Sequence, residues 1–168
     1  MSGGFSLIED QVLGSAAASI TFNTGLTDYT KFRLTVYVIK DGTGGQIFVR
    51  CNGDTGSNYA QQRLSADATT AAGQRLTGQT SVAIAAYATV TANGTGLFTI
   101  SISKPLAGTP ARGESSGSYF ADLATDAVLL DEVAFEWNNT AALISSLSIL
   151  SSSGNFAAGT RAVLEGAA

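Results

Sequence analysis

The chain has no histidine, one cysteine and two prolines in 168 residues, and only 13% of it is charged. Without histidine there is no Ser-His-Asp or Cys-His catalysis, no His-ligated zinc and no imidazole pH switch. The single Cys51 cannot form an internal disulfide or a thiolate cluster around a metal. The 13 acids outnumber the 9 basic residues, so no positive surplus displaces phosphate counterions, and nucleic acid is not an expected partner. Long apolar runs are missing too. The longest apolar-rich stretch, Val82 to Val90, is about half of the ~20 residues a bilayer crossing needs, so no membrane span is expected. Met1 to Asp10 carries two acids, no basic residue and no apolar core, so no signal peptide is expected. On that reading the triplets Asn93-Gly94-Thr95 and Asn138-Asn139-Thr140 are chance matches to a glycosylation site.

What is present is 45% hydrophobic residues, too many for a disordered chain of net charge -4, in a length that suits one domain. Phe32, Leu34, Val36 and Val38 recur at every second position with Arg33 and Thr35 between them, the period of a half-buried strand. The same period marks Ile47 to Cys51, Ser81 to Val90 and Leu97 to Ser103. Further strands are expected at Phe5 to Leu13, Ala18 to Phe22, Val128 to Trp137, Ile144 to Leu150 and Arg161 to Glu165. Glycine- and Asx-rich turns separate them, as at Asp41 to Gly45, Asn52 to Gly56, Ala92 to Gly96 and Ser151 to Gly154. Short strands without long amphipathic helices predict an all-β fold, an antiparallel β-sandwich or jelly-roll-like single domain over residues 1–168 with little helix. Ala60 to Gly73 and Ser118 to Asp126 lack the pattern and read as loops with at most a turn of helix.

Motifs that carry chemistry elsewhere lose their context here. Asp54-Thr55-Gly56-Ser57 spells an aspartic-protease signature, but it follows the turn pair Asn52-Gly53 instead of an apolar strand end. Asn52, Gly53, Asp54, Gly56 and Asn58 are therefore expected to form a structural turn, in which Asn should replace Asp54 without loss of solubility. The same segment offers oxygen ligands, yet a calcium loop started at Asn52 would place Arg63 where an acid is required. Ser101 and Lys104 match a serine-lysine pair but sit three apart on a strand, on opposite faces. Asp122, Asp126, Asp131, Glu132 and Glu136 are the densest acidic cluster, and two of them would suffice for a glycosidase pair. Alternation over Val128 to Trp137 puts Asp131 on the apolar face, at a bulge or hydrogen-bonded at the core rim. Tyr29, Tyr37, Tyr59, Tyr87, Tyr119 and Trp137 are available as a sugar-stacking platform or as core. No catalytic residue, cofactor or metal ligand is expected.

Three stretches resemble a widespread group of small structural proteins of tailed-bacteriophage particles. They are LIEDQVLGSAAASITF with Tyr29 to Leu34, FVRCNGDTGSNY from Phe48 to Tyr59, and NFAAGTRAVLEG from Asn155 to Gly166. The resemblance implies a β-sandwich carried on the virion, in head or tail, assembled in the host cytoplasm without enzymatic activity. It further implies homo-oligomers, trimers first, and other virion proteins (capsid or tail subunits) as partners. Low charge fits a subunit that covers much of its surface with neighbours. A capsid decoration or head-tail accessory subunit is the leading expectation; a receptor- or carbohydrate-binding fibre or tail-tip module, contacting a host-surface glycan, is the alternative. Phe135, Trp137 and the segment Leu147 to Phe156 are the first candidates for an interface, with core packing as the competing use of the same residues.

Overall fold

In a computed structural model of the chain, residues 4–67, 70–90, 92–104, 106–122 and 127–168 are described, with the side chains of 67, 86–89, 121–122 and 127 left aside. Among the described residues thirteen strands follow one another: β1 (Ser6–Val12), β2 (Ser19–Phe22), β3 (Lys31–Asp41), β4 (Gly45–Cys51), β5 (Tyr59–Asp67), β6 (Thr70–Gln79), β7 (Val82–Val90), β8 (Thr95–Ser103), β9 (Ala111–Asp122), β10 (Ala127–Trp137), β11 (Leu147–Ser151), β12 (Asn155–Phe156) and β13 (Arg161–Ala167). Among the described residues the one helical element is a 3-10 turn at Leu26–Asp28. No helix among them is long and apolar enough to cross a membrane.

The strands form two antiparallel sheets packed face to face. The large sheet runs β1-β13-β3-β8-β9-β10-β5-β6, with β12 added beside β3, and the small one runs β2-β11-β4-β7. Packing of β7 against β9 and β10 seats the small sheet on the large one. The sandwich is thus lopsided, unlike the paired four-stranded sheets that a jelly roll would give. Its core is one cluster of buried side chains fed by alternate positions of each strand, such as Phe32, Leu34, Val36 and Val38 from β3 and Phe98, Ile100 and Ile102 from β8. Removing this much apolar surface from water is the main driving force for the fold.

Three strands correct the sequence reading. Ala60 to Asp67 and Thr70 to Gly73 are not loop: they belong to β5 and β6, which pair from Tyr59↔Gln79 to Asp67↔Thr70, while residues 68–69 lie outside the described part. Ser118 to Asp122 continues β9, while residues 123–126 lie outside the described part. Ala111 to Gly117, which the hydrophobic pattern does not mark as a strand, is the body of β9. Its inward positions are Ala111, Gly113, Ser115, Gly117 and Tyr119, which carry little hydrophobic signal because neighbouring rings fill the space instead. A Cβ on Gly117 would stand 2.1 Å from the Phe98 ring on β8, and one on Gly113 2.4 Å from the Phe135 ring on β10. Glycine is required here for the close approach of an aromatic face to the backbone.

Strand β10 alternates as expected, with Leu129, Asp131, Val133, Phe135 and Trp137 inward and Glu132 outward. Asp131 is fully buried in regular register and accepts hydrogen bonds from Ser65 Oγ and Tyr119 Oη (3.0 Å). The buried carboxyl group is therefore hydrogen-bonded across β5 and β9, as a buried polar group requires. The expected interface residues need correction. Phe135 is 5% exposed and Trp137 and Phe156 are 0% exposed within the single chain, because each occupies a core-facing register.

Candidate functional site

The turn singled out by sequence closes one end of the sandwich. Asn52 (φ 53°) and Gly53 (φ 62°) both take left-handed backbone, and Asp54 N–H donates to Cys51 O at 2.9 Å, a type I′ turn. Gly53 suits its place because, lacking a Cβ, it takes positive φ more readily than L-residues do. The chain then crosses from β4 in the small sheet to β5 in the large one, and the turn's side chains hold the crossing. Asn52 Oδ1 accepts from Ser145 N (2.7 Å) and Ser146 N (3.0 Å), while its Nδ2 donates to Leu143 O at 2.8 Å, so it clamps the segment leading into β11.

The Asp54 carboxylate is surrounded by donors. Oδ1 accepts from Gly56 N at 2.8 Å; Oδ2 accepts from Trp137 Nε1 (2.8 Å), Asn58 Nδ2 (2.9 Å) and Asn139 Nδ2 (3.2 Å). Desolvation works against ionisation, but the donors from Trp137, Asn58, Gly56 and Asn139 outweigh it and hold the carboxyl at about 2, below its ordinary 3.8. A general base would have to give up these bonds to accept a proton. Of the five predicted turn residues, Asp54, Gly56 and Asn58 share the carboxylate network, Asn52 holds the segment before β11, and Gly53 supplies the turn's backbone conformation.

Lys104 grips the same indole from another side. It is 1% exposed, donates from Nζ to Thr109 O (2.7 Å) and Asn139 O (2.9 Å), and lies 5.0 Å from the centre of the Trp137 ring. Burial lowers its pKa. Tyr59 stacks on Trp137 with ring centres 6.4 Å apart, and its hydroxyl bonds the backbone of Cys51. Burial pushes the Cys51 thiol up to about 12, which leaves it protonated at neutral pH and a poor nucleophile. Trp137 is therefore a hub: stacked, capped by a cation, and hydrogen-bonded to a carboxylate.

At the opposite end of the β3–β8 pair stands a second buried lysine. Lys40 is 1% exposed, donates to Ser151 Oγ and to Ser153 O (2.8 Å), and sits 5.5 Å from the Phe156 ring centre. Its pKa is likewise lowered by burial. Phe156, expected at an interface, instead backs this ammonium.

Two open features were missed by sequence. The first is a groove of about 650 Å³ where the outward side chains of β4, including Phe48 and Arg50, face the inward side chains of the β5–β6 hairpin, including Arg63, Gln74 and Leu76. Arg50 Nε donates to Thr80 O at 3.1 Å and Arg63 donates to Gln74 Oε1 at 2.5 Å. The pairing of β5 with β6 creates this wall, so no local motif announces it. The second is a stripe on the outer face of the large sheet. Tyr37, Leu97, Val128 and Leu130 are 45–54% exposed, and register aligns Tyr37↔Leu97, Leu97↔Ser118, Ser118↔Leu130 across β3, β8, β9 and β10. Its signal was in the sequence, as apolar residues in the positions between the core-facing ones.

Other proposed chemistry does not assemble. Glu132 accepts from Ser116 Oγ at 2.6 Å and Glu136 pairs with Arg112 at 3.1 Å, both on the outer face, opposite in direction to Asp131. Asp126 and the side chain of Asp122 lie outside the described residues. Among the described residues no three of His, Cys, Asp and Glu gather as a metal site. Of the aromatics offered as a platform, Tyr59, Tyr119 and Trp137 are buried, Tyr37 is exposed on the stripe, and the Tyr87 side chain lies outside the described part.

No family model matches the chain, and no curated protein is similar to it. Among solved structures, a protein of unknown function from Shewanella oneidensis MR-1 is similar at 10% identity and a TM-score of 0.26, covering 98% of this chain and 76% of that one.

Proposed function

We propose that the chain is a non-enzymatic structural subunit of a bacteriophage particle, a capsid decoration or head-tail accessory protein working through protein contacts. The observation that carries the contact surface is the stripe of Tyr37, Leu97, Val128 and Leu130, four large apolar side chains standing half-exposed in adjacent rows of one sheet face. Contiguous exposed apolar surface of this kind marks interaction sites. The resemblance of the three sequence stretches supplies the setting. The occupant is further copies of the same chain around a threefold axis, since closed symmetry repeats one patch without open-ended growth. The charged end of the same face, with Arg33–Glu165 at 2.7 Å and Arg112–Glu136 at 3.1 Å, provides a polar border beside the apolar stripe. Sedimentation velocity at micromolar concentration tests this. The wild-type chain should sediment as a trimer and Leu97→Asp/Leu130→Asp as a folded monomer; a monomeric wild type, or an assembly untouched by both aspartates, rejects the reading.

A second reading, a receptor- or carbohydrate-binding module, is favoured by the polar groove between β4 and the β5–β6 hairpin. Its volume falls within the usual range of about 300–1,000 Å³ for ligand sites.

A further inference from the structure

The groove has a charge pattern that runs against the balance of the whole chain. The protein carries 13 acids against 9 basic residues, yet the groove is lined by two arginines and no carboxylate. Three of the other four arginines are neutralised: among the described residues the ion pairs are Arg33–Glu165, Arg112–Glu136 and Arg161–Asp10, while Arg50 and Arg63, like the exposed Arg75 outside the groove, take part in none. Each bonds a neutral oxygen instead, Arg50 that of Thr80 and Arg63 that of Gln74. A guanidinium offers five donors in a planar fork that matches a carboxylate. One such bond per arginine leaves most of that capacity in a cleft open to solvent.

The remaining lining narrows the ligand. Gln74 brings an NH2 group and Gln79 a carbonyl oxygen beyond the bonds they make within the chain. Side-chain amides pair with hydroxyl groups, and Phe48 adds one apolar ring to the floor. An extended peptide would instead look for an unpaired strand edge. At Ala83 the β7 edge is already engaged, because Ala83 N donates to Gln61 Oε1 at 2.9 Å and Gln61 Nε2 donates to Ala83 O at 3.5 Å. A ligand with many hydroxyls and a carboxylate fits all of these groups.

We propose that this groove binds a carboxylated oligosaccharide, with Arg50 and Arg63 receiving its carboxylates and the glutamine amides its hydroxyls. The proposal rests on the second functional reading above and is independent of the apolar stripe, which lies on another face.

Isothermal titration calorimetry on the full chain tests it, using oligogalacturonate and oligosialate, uncharged maltohexaose, and poly-glutamate as the acidic peptide control. At least one of the acidic sugars should bind with a Kd of about 1 mM or tighter, weaken as ionic strength rises from about 0.05 to 0.5 M, and lose at least about tenfold in Arg50→Gln/Arg63→Gln. That variant should melt as the wild type does, which separates lost binding from lost fold. Maltohexaose binding as tightly as the acidic sugars would leave the glycan reading standing and overturn the charge-selective site. If no sugar binds, both fall. Poly-glutamate binding more tightly than either acidic sugar would overturn the proposal in favour of an acidic polypeptide.

Discussion

The corner built around Asp54 and the groove lined by Arg50 and Arg63 are joined by β5, which starts beside the one and lines the other, and they treat their polar groups in opposite ways. In the corner, one carboxylate receives four donors, one asparagine clamps a neighbouring segment, and a buried ammonium is spent on two carbonyls and an indole face. In the groove, two guanidiniums meet only neutral oxygens. The lesson concerns where chemistry remains available. A polar group fully satisfied within the chain stabilises the fold and offers nothing to a ligand; an unneutralised charge in an open cleft does the reverse.

The largest loss of stability is expected at Trp137. Trp137→Ala removes the buried ring against which Tyr59 stacks and Lys104 rests, together with the donor to Asp54. A loss of about 3–5 kcal/mol is expected from urea unfolding, as for large aromatic truncations in a core. Trp137→Phe keeps most of the ring and should cost less, by the difference that the lost N–H donor makes.

Next comes Asp54→Asn. The sequence reading expects this change to be tolerated, but the amide would turn an NH2 group toward at least one of the existing donors. Because hydrogen bonds to a charged group contribute about 1.5–3 kcal/mol, a destabilisation of that order is expected for the variant. The pH dependence follows from the lowered carboxyl. The folded group titrates at about 2 and the ordinary value is 3.8, so between those values the unfolded state holds the proton more often. Stability from Asp54 is then fully present above about pH 4 and is lost as pH falls toward 2. Asp10 and Glu165, lowered by their hydrogen bonds to Arg161 and Arg33, act in the same direction, so the Asn variant should show a reduced acid-side slope and not a flat one.

The smallest effect on stability is expected at the groove. Arg50→Gln/Arg63→Gln removes two partly exposed side chains outside any ion pair, and its unfolding free energy should stay within about 0.5 kcal/mol per site of the wild type. A larger loss would mean that these arginines serve the fold as Asp54 does.

Legibility in the sequence follows the same division. Strands β3, β8 and β10 could be read because their inward positions are Phe, Leu, Val and Ile with few exceptions, and the turn could be read because Asn52-Gly53 names its own backbone conformation. Strand β9 could not, since its inward Gly113 and Gly117 exist to admit rings from Phe135 and Phe98 on other strands. The β5–β6 hairpin could not either: Gln61, Arg63 and Gln74 face a polar groove, so hydrophobic alternation is absent where a core would have imposed it. Lys40 continues the inward register of β3, but only the tertiary fold supplies the Ser151 and Ser153 oxygens that make its burial tolerable. The apolar residues Phe135, Trp137 and Phe156 read as interface candidates because composition cannot tell a core ring from a contact ring; their register settles it.

The claim that the corner's chemistry is spent on the fold is tested most directly at the Asp54 carboxyl itself. Carbon-13 NMR titration of its side-chain carboxyl in the folded protein should give a midpoint at about 2. A midpoint at or above the ordinary 3.8 would mean that the donors do not hold it, and would contradict the account of this corner as a closed structural network.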